Sequence, residues 1–380
     1  MQRRTFALAA LAASTPLSAR AQAPAATKAL ADNLILLGQT AAISGPEADS
    51  GRQYHQGAQL HFAALNARGG ISGRRIELRL LDDAGDPGQA AANARSLIND
   101  GVFALFGSYG AGPSLAALPL AVQAKVPLVA PLSGAQALRQ PYSRFVVHVR
   151  ASYEDEVLAL VRHAAGTGVT KLAALCEEGE FGDEGLKVVQ AALSAAKLPP
   201  PILGKVNAQS VNVGQAITDI VGKQPHGIVL LCSFKASAAF IRGARSAGYK
   251  GSYYALSHVG TQGLGKEMGP LARGIVVSEV MPYPFRAHSA LSRDYLEALK
   301  TASNKEPSYL GMEGFVAAQV CGEVLRRAGR NLTTDSFLAA LDGIRKLNLG
   351  SFLLDYGPRN NSGSKFVDLV LLDAKGQVMR

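Results

Sequence analysis

Cysteine is scarce in this sequence: Cys176, Cys232 and Cys321 are far apart and odd in number. That excludes a disulfide framework, and buried free thiols are the expectation. Beyond the N-terminus no stretch reaches the roughly 18 uninterrupted apolar residues that a membrane-spanning helix needs, so a soluble mature chain is expected. Lysine and arginine outnumber aspartate and glutamate by 39 to 29, a formal charge of +10. They are scattered, without a basic stripe or interleaved aromatics, so nucleic acid is not an expected partner. No G-x-S-x-G elbow, H-E-x-x-H motif or Walker loop occurs, and the seven histidines show no metal-ligand spacing. Gly107-Ser108-Tyr109-Gly110-Ala111-Gly112 misses the G-x-G-x-x-G spacing of a dinucleotide loop. No catalytic constellation, metal or cofactor is expected.

What is present is the composition of a folded globular protein, 48% hydrophobic and 18% charged. The 380 residues exceed the size at which one core usually keeps growing, so two domains with a cleft between them are expected. Arg3 and Arg4, the apolar run from Phe6 to Ala13 and the small residues after it read as a signal peptide. Cleavage is expected after Ala21, giving residues 1–21 as the leader and 22–32 as a disordered linker. The paired arginines resemble a twin-arginine signal, and the general secretory route fits equally. No cysteine follows within lipoprotein reach, which favours a soluble exported form.

From Leu34 onward short apolar runs alternate with longer amphipathic ones, the pattern of βαβ units and parallel sheets. Strands are expected at 34–39, 75–82, 103–106 and 127–131, with helices at 51–68, 89–99 and 113–123. The rhythm restarts after Arg150, with helices at 154–166, 182–196, 213–222 and 235–247 and strands at 171–176, 202–206, 228–232 and 253–256. A strand at 275–279 can begin the return to the first half. Helices at 291–302, 309–328 and 334–341 and strands at 352–355 and 366–372 complete the chain. In open parallel sheets a ligand sits beyond the carboxyl ends of the strands. This selects residues 44–51, 108–114 and 132–135 in the first half and 177–181, 233–234 and 257–261 in the second.

Ile43-Ser44-Gly45-Pro46, the run Leu65-Asn66-Ala67-Arg68-Gly69-Gly70-Ile71-Ser72-Gly73 and Leu81-Asp82-Asp83-Ala84-Gly85-Asp86-Pro87 bear a family resemblance in their order and spacing. The glycines suit a helix stop with positive φ and a tight turn into a strand, and the aspartates suit a helix start, so these motifs read as architecture. Together they resemble the leucine/isoleucine/valine-binding protein family, the substrate receptors of ABC transporters, over about Leu34 to Leu372. The resemblance implies the type I periplasmic binding protein fold: two doubly wound parallel-sheet α/β lobes joined by a three-stranded hinge. Lobe 1 would comprise 33–149 plus 281–354, and lobe 2 would comprise 150–280 plus 355–380. It further implies a periplasmic monomer that closes on a small molecule, performs no chemistry and hands its cargo to an inner-membrane permease. A sensor that reports occupancy to a membrane receptor is the alternative, and an enzyme the less favoured one.

Family members hold an α-carboxylate with hydroxyls and N–H groups of one lobe and an α-ammonium with an acidic residue of the other. By that correspondence Ser108, Tyr109, Gly110, Ala111, Ser133 and Gly134, and by their place beyond strand ends Ser50 and Leu132, are expected to face the ligand from lobe 1. Phe181, Phe234, Ser257 and His258 face it from lobe 2, and Tyr309 and Glu313 lie nearby. Ala111 falls where a hydroxyl is expected, and Ser257 and His258 occupy the neighbourhood of the ammonium-binding glutamate. Without a counter-charge a desolvated ammonium is costly, so an unmodified aliphatic amino acid is disfavoured unless Glu177, Glu178 or Glu313 substitutes. The aromatics suit an apolar body carrying a carboxylate or amide.

Overall fold

In the computed structural model, residues 33–207, 211–302 and 306–379 are described. The expected leader and linker lie outside them. A five-stranded sheet runs in the order β2-β1-β3-β4-β5, formed by β1 (Leu34–Ala41), β2 (Arg75–Asp82), β3 (Ala104–Phe106), β4 (Leu128–Val129) and β5 (Val146–Val147). All its pairings are parallel, with Leu34 opposite Arg75 and Leu37 opposite Ala104. The central strand β1 is an almost unbroken apolar run and is buried along nearly its whole length. That is the sequence signature of a strand covered on both faces.

The second sheet has seven strands, in the order β14-β13-β10-β9-β8-β6-β7. They are β6 (Leu172–Glu177), β7 (Ile202–Val206), β8 (Gly227–Leu231), β9 (Ser252–Ala255), β10 (Ile275–Glu279), β13 (Asp368–Leu372) and β14 (Val378–Met379). The strand at 275–279, from which a return to the first half was expected, is an integral member of this sheet. It pairs in parallel with β9 and antiparallel with β13. The remaining pair, β11 (Leu347–Asn348) and β12 (Leu353–Leu354), forms a separate ribbon.

Helices cover the sheets: α1 (Ala48–Ala67), α2 (Pro87–Asn99), α3 (Ala111–Ala124), α4 (Tyr153–Gly166), α5 (Glu180–Ala195), α6 (Gly214–Val221) and α7 (Phe234–Ser246), then α8 (Thr261–Met268), α9 (Ala290–Thr301), α10 (Tyr309–Ala328) and α11 (Thr334–Asp342). Short β5, β11 and β14 and the eight-residue α8 fall outside the expected elements, whereas β4 and β12, equally short, lie within expected apolar runs.

The motifs that marked the fold act as architecture. Asn66 donates from Nδ2 to the Ile76 carbonyl at 2.8 Å and accepts the Ile76 N–H at 2.8 Å, clamping the end of α1 to β2. Asp86 accepts the Gln89 N–H at 2.7 Å, capping α2 with Pro87 in its first turn. Ser152 and Asp155 form a reciprocal capping box at the start of α4.

The chain passes from the first sheet to the second after β5, leaves the second after β10 for α9, α10, α11 and the β11–β12 ribbon, and returns to it at β13; α10 packs back on α1 beside the first sheet. Residues near the third passage run alongside the first. Asn361 accepts the His148 N–H at 2.8 Å, and Gly363 donates to the His148 carbonyl at 2.9 Å. The Tyr356 hydroxyl donates to that same carbonyl at 3.0 Å.

Candidate functional site

The carboxyl ends of the parallel strands in both sheets lead into the helices that face the crevice, and the two halves touch there. Gly260 lies so near Ser50 that an added Cβ would come within 3.2 Å of the serine hydroxyl. Gly134 presses on Tyr153, where a Cβ would fall 2.5 Å from both the backbone nitrogen and the ring. The Ser133 hydroxyl reaches the Tyr153 hydroxyl at 3.5 Å and accepts the Ala135 N–H at 3.2 Å. At one edge Glu184 of α5 accepts the Gln136 N–H.

Aromatic rings meet across this junction. The Tyr109 ring from the first half lies 5.8 Å from the His258 imidazole of the second, and Phe181 lies 4.4 Å from His258 and 5.1 Å from Tyr153. His258 is buried in a short turn, Ser257–Val259, after β9. Burial, and then the Arg150 charge, lower its pKa to about 3, so its imidazole is neutral.

Beneath the rings is a group of charges of which sequence reasoning singled out only Glu313. Arg150, 1% exposed, donates to Glu156 Oε1 at 2.9 Å and to the Ser257 hydroxyl, and lies 3.4 Å from Glu313 Oε1. Glu156 Oε2 accepts the Ser257 N–H at 2.8 Å and the Ser278 hydroxyl at 2.7 Å. Burial opposes the guanidinium charge, but the carboxylates of Glu313 and Glu156 outweigh it and hold Arg150 above its ordinary pKa. Burial and then Arg150 set the state of Glu313, with burial raising its carboxyl above the usual range. Glu313, a candidate counter-charge for a ligand ammonium, is thereby engaged by Arg150. Nothing near 150 in the sequence announced this triad, since Glu313 comes from a different helix 163 positions later.

At the other end, Glu47 at the start of α1 accepts the Tyr109 hydroxyl at 2.7 Å. Burial raises its pKa to about 7, against the Tyr109 hydrogen bond; Glu177 adds to the rise and Lys235 opposes it. Glu177 is not a free loop carboxylate, because it accepts the Ser233 N–H at 2.9 Å, whereas Glu178 is engaged by Asn207 at 2.7 Å on an exposed edge.

The other expected contacts divide. Ser108 turns its hydroxyl onto Ser114, 2.9 Å away, tying the loop to the first turn of α3. Gly110 has φ of 90° and leads into Ala111, where the first-turn N–H groups of α3 have no intrahelical acceptor. Leu132 is buried and bridges to Tyr109. Phe234 begins α7, with Gly263 at contact distance and the Lys235 ammonium 5.9 Å from its ring. Tyr309 packs its ring 5.7 Å from Phe285. Among the described residues no group of three or more His, Cys, Asp or Glu side chains is arranged so as to hold a metal ion.

A family model described as periplasmic binding protein matches residues 35–376. The chain belongs to the periplasmic binding protein family. Among its relatives, the Leu/Ile/Val-binding protein of Escherichia coli K12 is 22% identical over 268 residues, covering 70% of this chain and 72% of that protein. A possible leucine/isoleucine/valine-binding protein from Rhodopirellula baltica superposes with a TM-score of 0.87 at 26% identity, covering 92% of this chain and 96% of that one. A substrate-binding periplasmic protein from Ralstonia solanacearum gives 0.85 at 29%, covering 91% and 99%. The fold of this binding protein is therefore the two-lobed type I α/β arrangement, and the relatives are binding proteins rather than enzymes. Cys176, Cys232 and Cys321 are buried free thiols, and burial raises the pKa of each.

Glu47 gives this family member a pH dependence of definite sign. Its pKa is raised on folding, so its contribution to stability is complete below the ordinary carboxylate value of 4.5 and is lost as pH rises through about 7. Glu47→Gln, which mimics the neutral acid, should match the parent near the lower limit and exceed it at higher pH. Allowing for partial exposure, the gain is on the order of 1–2 kcal/mol. Urea denaturation at a series of pH values measures it, and a constant difference would remove Glu47 as the source.

Proposed function

We propose that this chain is an extracytoplasmic solute receptor of an ABC transporter, which closes its lobes on a small organic molecule and delivers it to a membrane permease. The ligand class that fits is an amino-acid-like carboxylate or amide with an apolar, aromatic-compatible body. The observation that carries this reading is the interlobe junction of Tyr109, Ser133, Tyr153, Phe181 and His258, where rings and hydroxyls of both halves converge on one buried place. Such a place combines apolar area with few polar groups, as small-molecule sites do. Chain passages near residues 150, 280 and 355 would act as the hinge, and binding to both lobes would shift the population toward the closed form.

Affinity near micromolar, about −8 kcal/mol, suits a reversible carrier. A thermal-shift screen of the mature protein with amino acids, aromatic acids, amides and dicarboxylates should raise the melting temperature with one chemical class. Ligand at about one hundred times its Kd adds about 2.7 kcal/mol of stability. Small-angle scattering with the hit should show compaction of the apo ensemble. A flat response across the whole library, or turnover of the hit, would count against solute capture.

A further inference from the structure

Glu313 lies on α10 between Gly311 and Gly314, which press against Gly57 and Tyr54 of α1. A helix pinned at both points cannot swing, so the buried Glu313 carboxyl moves with the half of the molecule built on the first sheet. Arg150 belongs to the other half. Its Nη2 donates to Glu156 of α4 at 2.9 Å and to the Ser257 hydroxyl, and its guanidinium stands 5.9 Å from the Tyr153 ring. Glu156 in turn accepts the Ser257 N–H and the Ser278 hydroxyl, so the arginine is tied to α4, to β10 and to the turn after β9. Arg150 Nη1 makes no hydrogen bond and meets Glu313 Oε1 at 3.4 Å, a contact of charge across the junction. The Ser133–Tyr153 and Gln136–Glu184 contacts cross the same junction without pairing opposite charges. Opening the crevice has to break something here. Arg150 is held more firmly by Glu156, Ser257 and Tyr153 than by Glu313, so the Glu313 contact is the one that parts.

Resting on the solute-receptor reading above, we infer that the Arg150–Glu313 contact is a built-in closing latch: a charge pair across the crevice that favours the closed form whichever solute is bound. Arg150 and Glu313 are then positioning residues rather than ligand contacts. Through the Ser257 hydroxyl the latch also holds the Ser257–Val259 turn, and with it His258, 5.8 Å from the Tyr109 ring of the other half. Separation exchanges the Glu313 contact for water, while Arg150 keeps Glu156. The difference between a charge paired in a dry junction and the same charge in water sets how far the equilibrium leans toward closure before any solute arrives.

Spin labels on Ser44→Cys, in the loop after β1, and on Glu180→Cys, at the start of α5, test this by double electron–electron resonance on the solute-free mature protein. Both positions are exposed, and the three native cysteines are buried and so spared the label. Adding Glu313→Gln, which removes the charge and keeps the shape, should lengthen the mean distance by more than about 2 Å, the scale of a hinge rearrangement. Should that variant fail to fold, Glu313→Asp, with its carboxylate withdrawn by one methylene, carries the same expectation. The screened amino acids, aromatic acids, amides and dicarboxylates that bind the parent should each bind Glu313→Gln about tenfold more weakly with their relative order unchanged, because the lost closed population is common to all. An unchanged or shorter distance overturns the latch, and altered ratios among solutes would overturn it by making Glu313 a ligand contact. The label distance needs no solute, so failure there leaves the solute-receptor reading standing, whereas silence across the screen removes that reading without moving the labels.

Discussion

Replacing Arg150 with methionine should cost about 3–5 kcal/mol of folding stability, because the substitution strands Glu156 and Glu313 in a water-excluded junction. Glu156 is fully buried and Arg150 nearly so, and the guanidinium reaches three side chains from three different elements. Each carboxylate left behind must either take up a proton or remain as an unpaired charge. Urea or thermal denaturation measures the loss. The double variant Arg150→Met/Glu313→Gln should recover part of it, giving a coupling energy within the roughly 0.5–3 kcal/mol found for contacting groups. Additive losses would mean that the 3.4 Å contact between Arg150 and Glu313 carries no energy. Arg150→Lys should fall between, since a single ammonium cannot span the positions that the planar fork reaches.

The second large effect belongs to the contact between α1 and α10. A Cβ on Gly57 would overlap the Gly311 carbonyl, and one on Gly314 would overlap the Tyr54 carbonyl. The backbones of α1 and α10 are thus in direct contact, and there is no flexible side chain at either point to move aside. Gly57→Ala should therefore destabilise by about 3 kcal/mol or more, at the upper end for overpacked cores, although alanine is the better helix former. The same displacement should draw Glu313 away from Arg150, since Glu313 immediately precedes Gly314 on α10. The expected readout is a lower denaturation midpoint. Gly166→Ala, at the end of α4 where a new Cβ meets nothing within 4 Å, is the matched control. Equal behaviour of the two variants would show that the α1–α10 approach is looser than described.

Much of the architecture is legible along the chain. The unbroken apolar run of β1, the alternation that restarts after Arg150 and the Asn66-to-Gly73 turn each report on neighbours close in sequence, where strand burial, helix capping and backbone geometry act. The crevice segments were reachable by the same logic, because parallel sheets place their strand ends together; Tyr109, Ser133, Phe181 and His258 do converge in the structure. Two-residue strands such as β5 and β14 were not legible, for they have no period to detect.

The electrostatics of the junction depend on something else. Arg150, Glu156 and Glu313 occupy a linker, a helix and a distant helix, and only Glu313 stood out along the chain as a site candidate. Their meaning arises only when chain passages between the sheets and the glycine-mediated approach of α1 and α10 bring them into one dry volume. The sequence by itself determined which segments become strands and helices and hence the two-lobed form, since those preferences are local. Which carboxyls meet the Arg150 guanidinium was decided by the tertiary structure alone, because desolvation and charge act through space rather than along the chain.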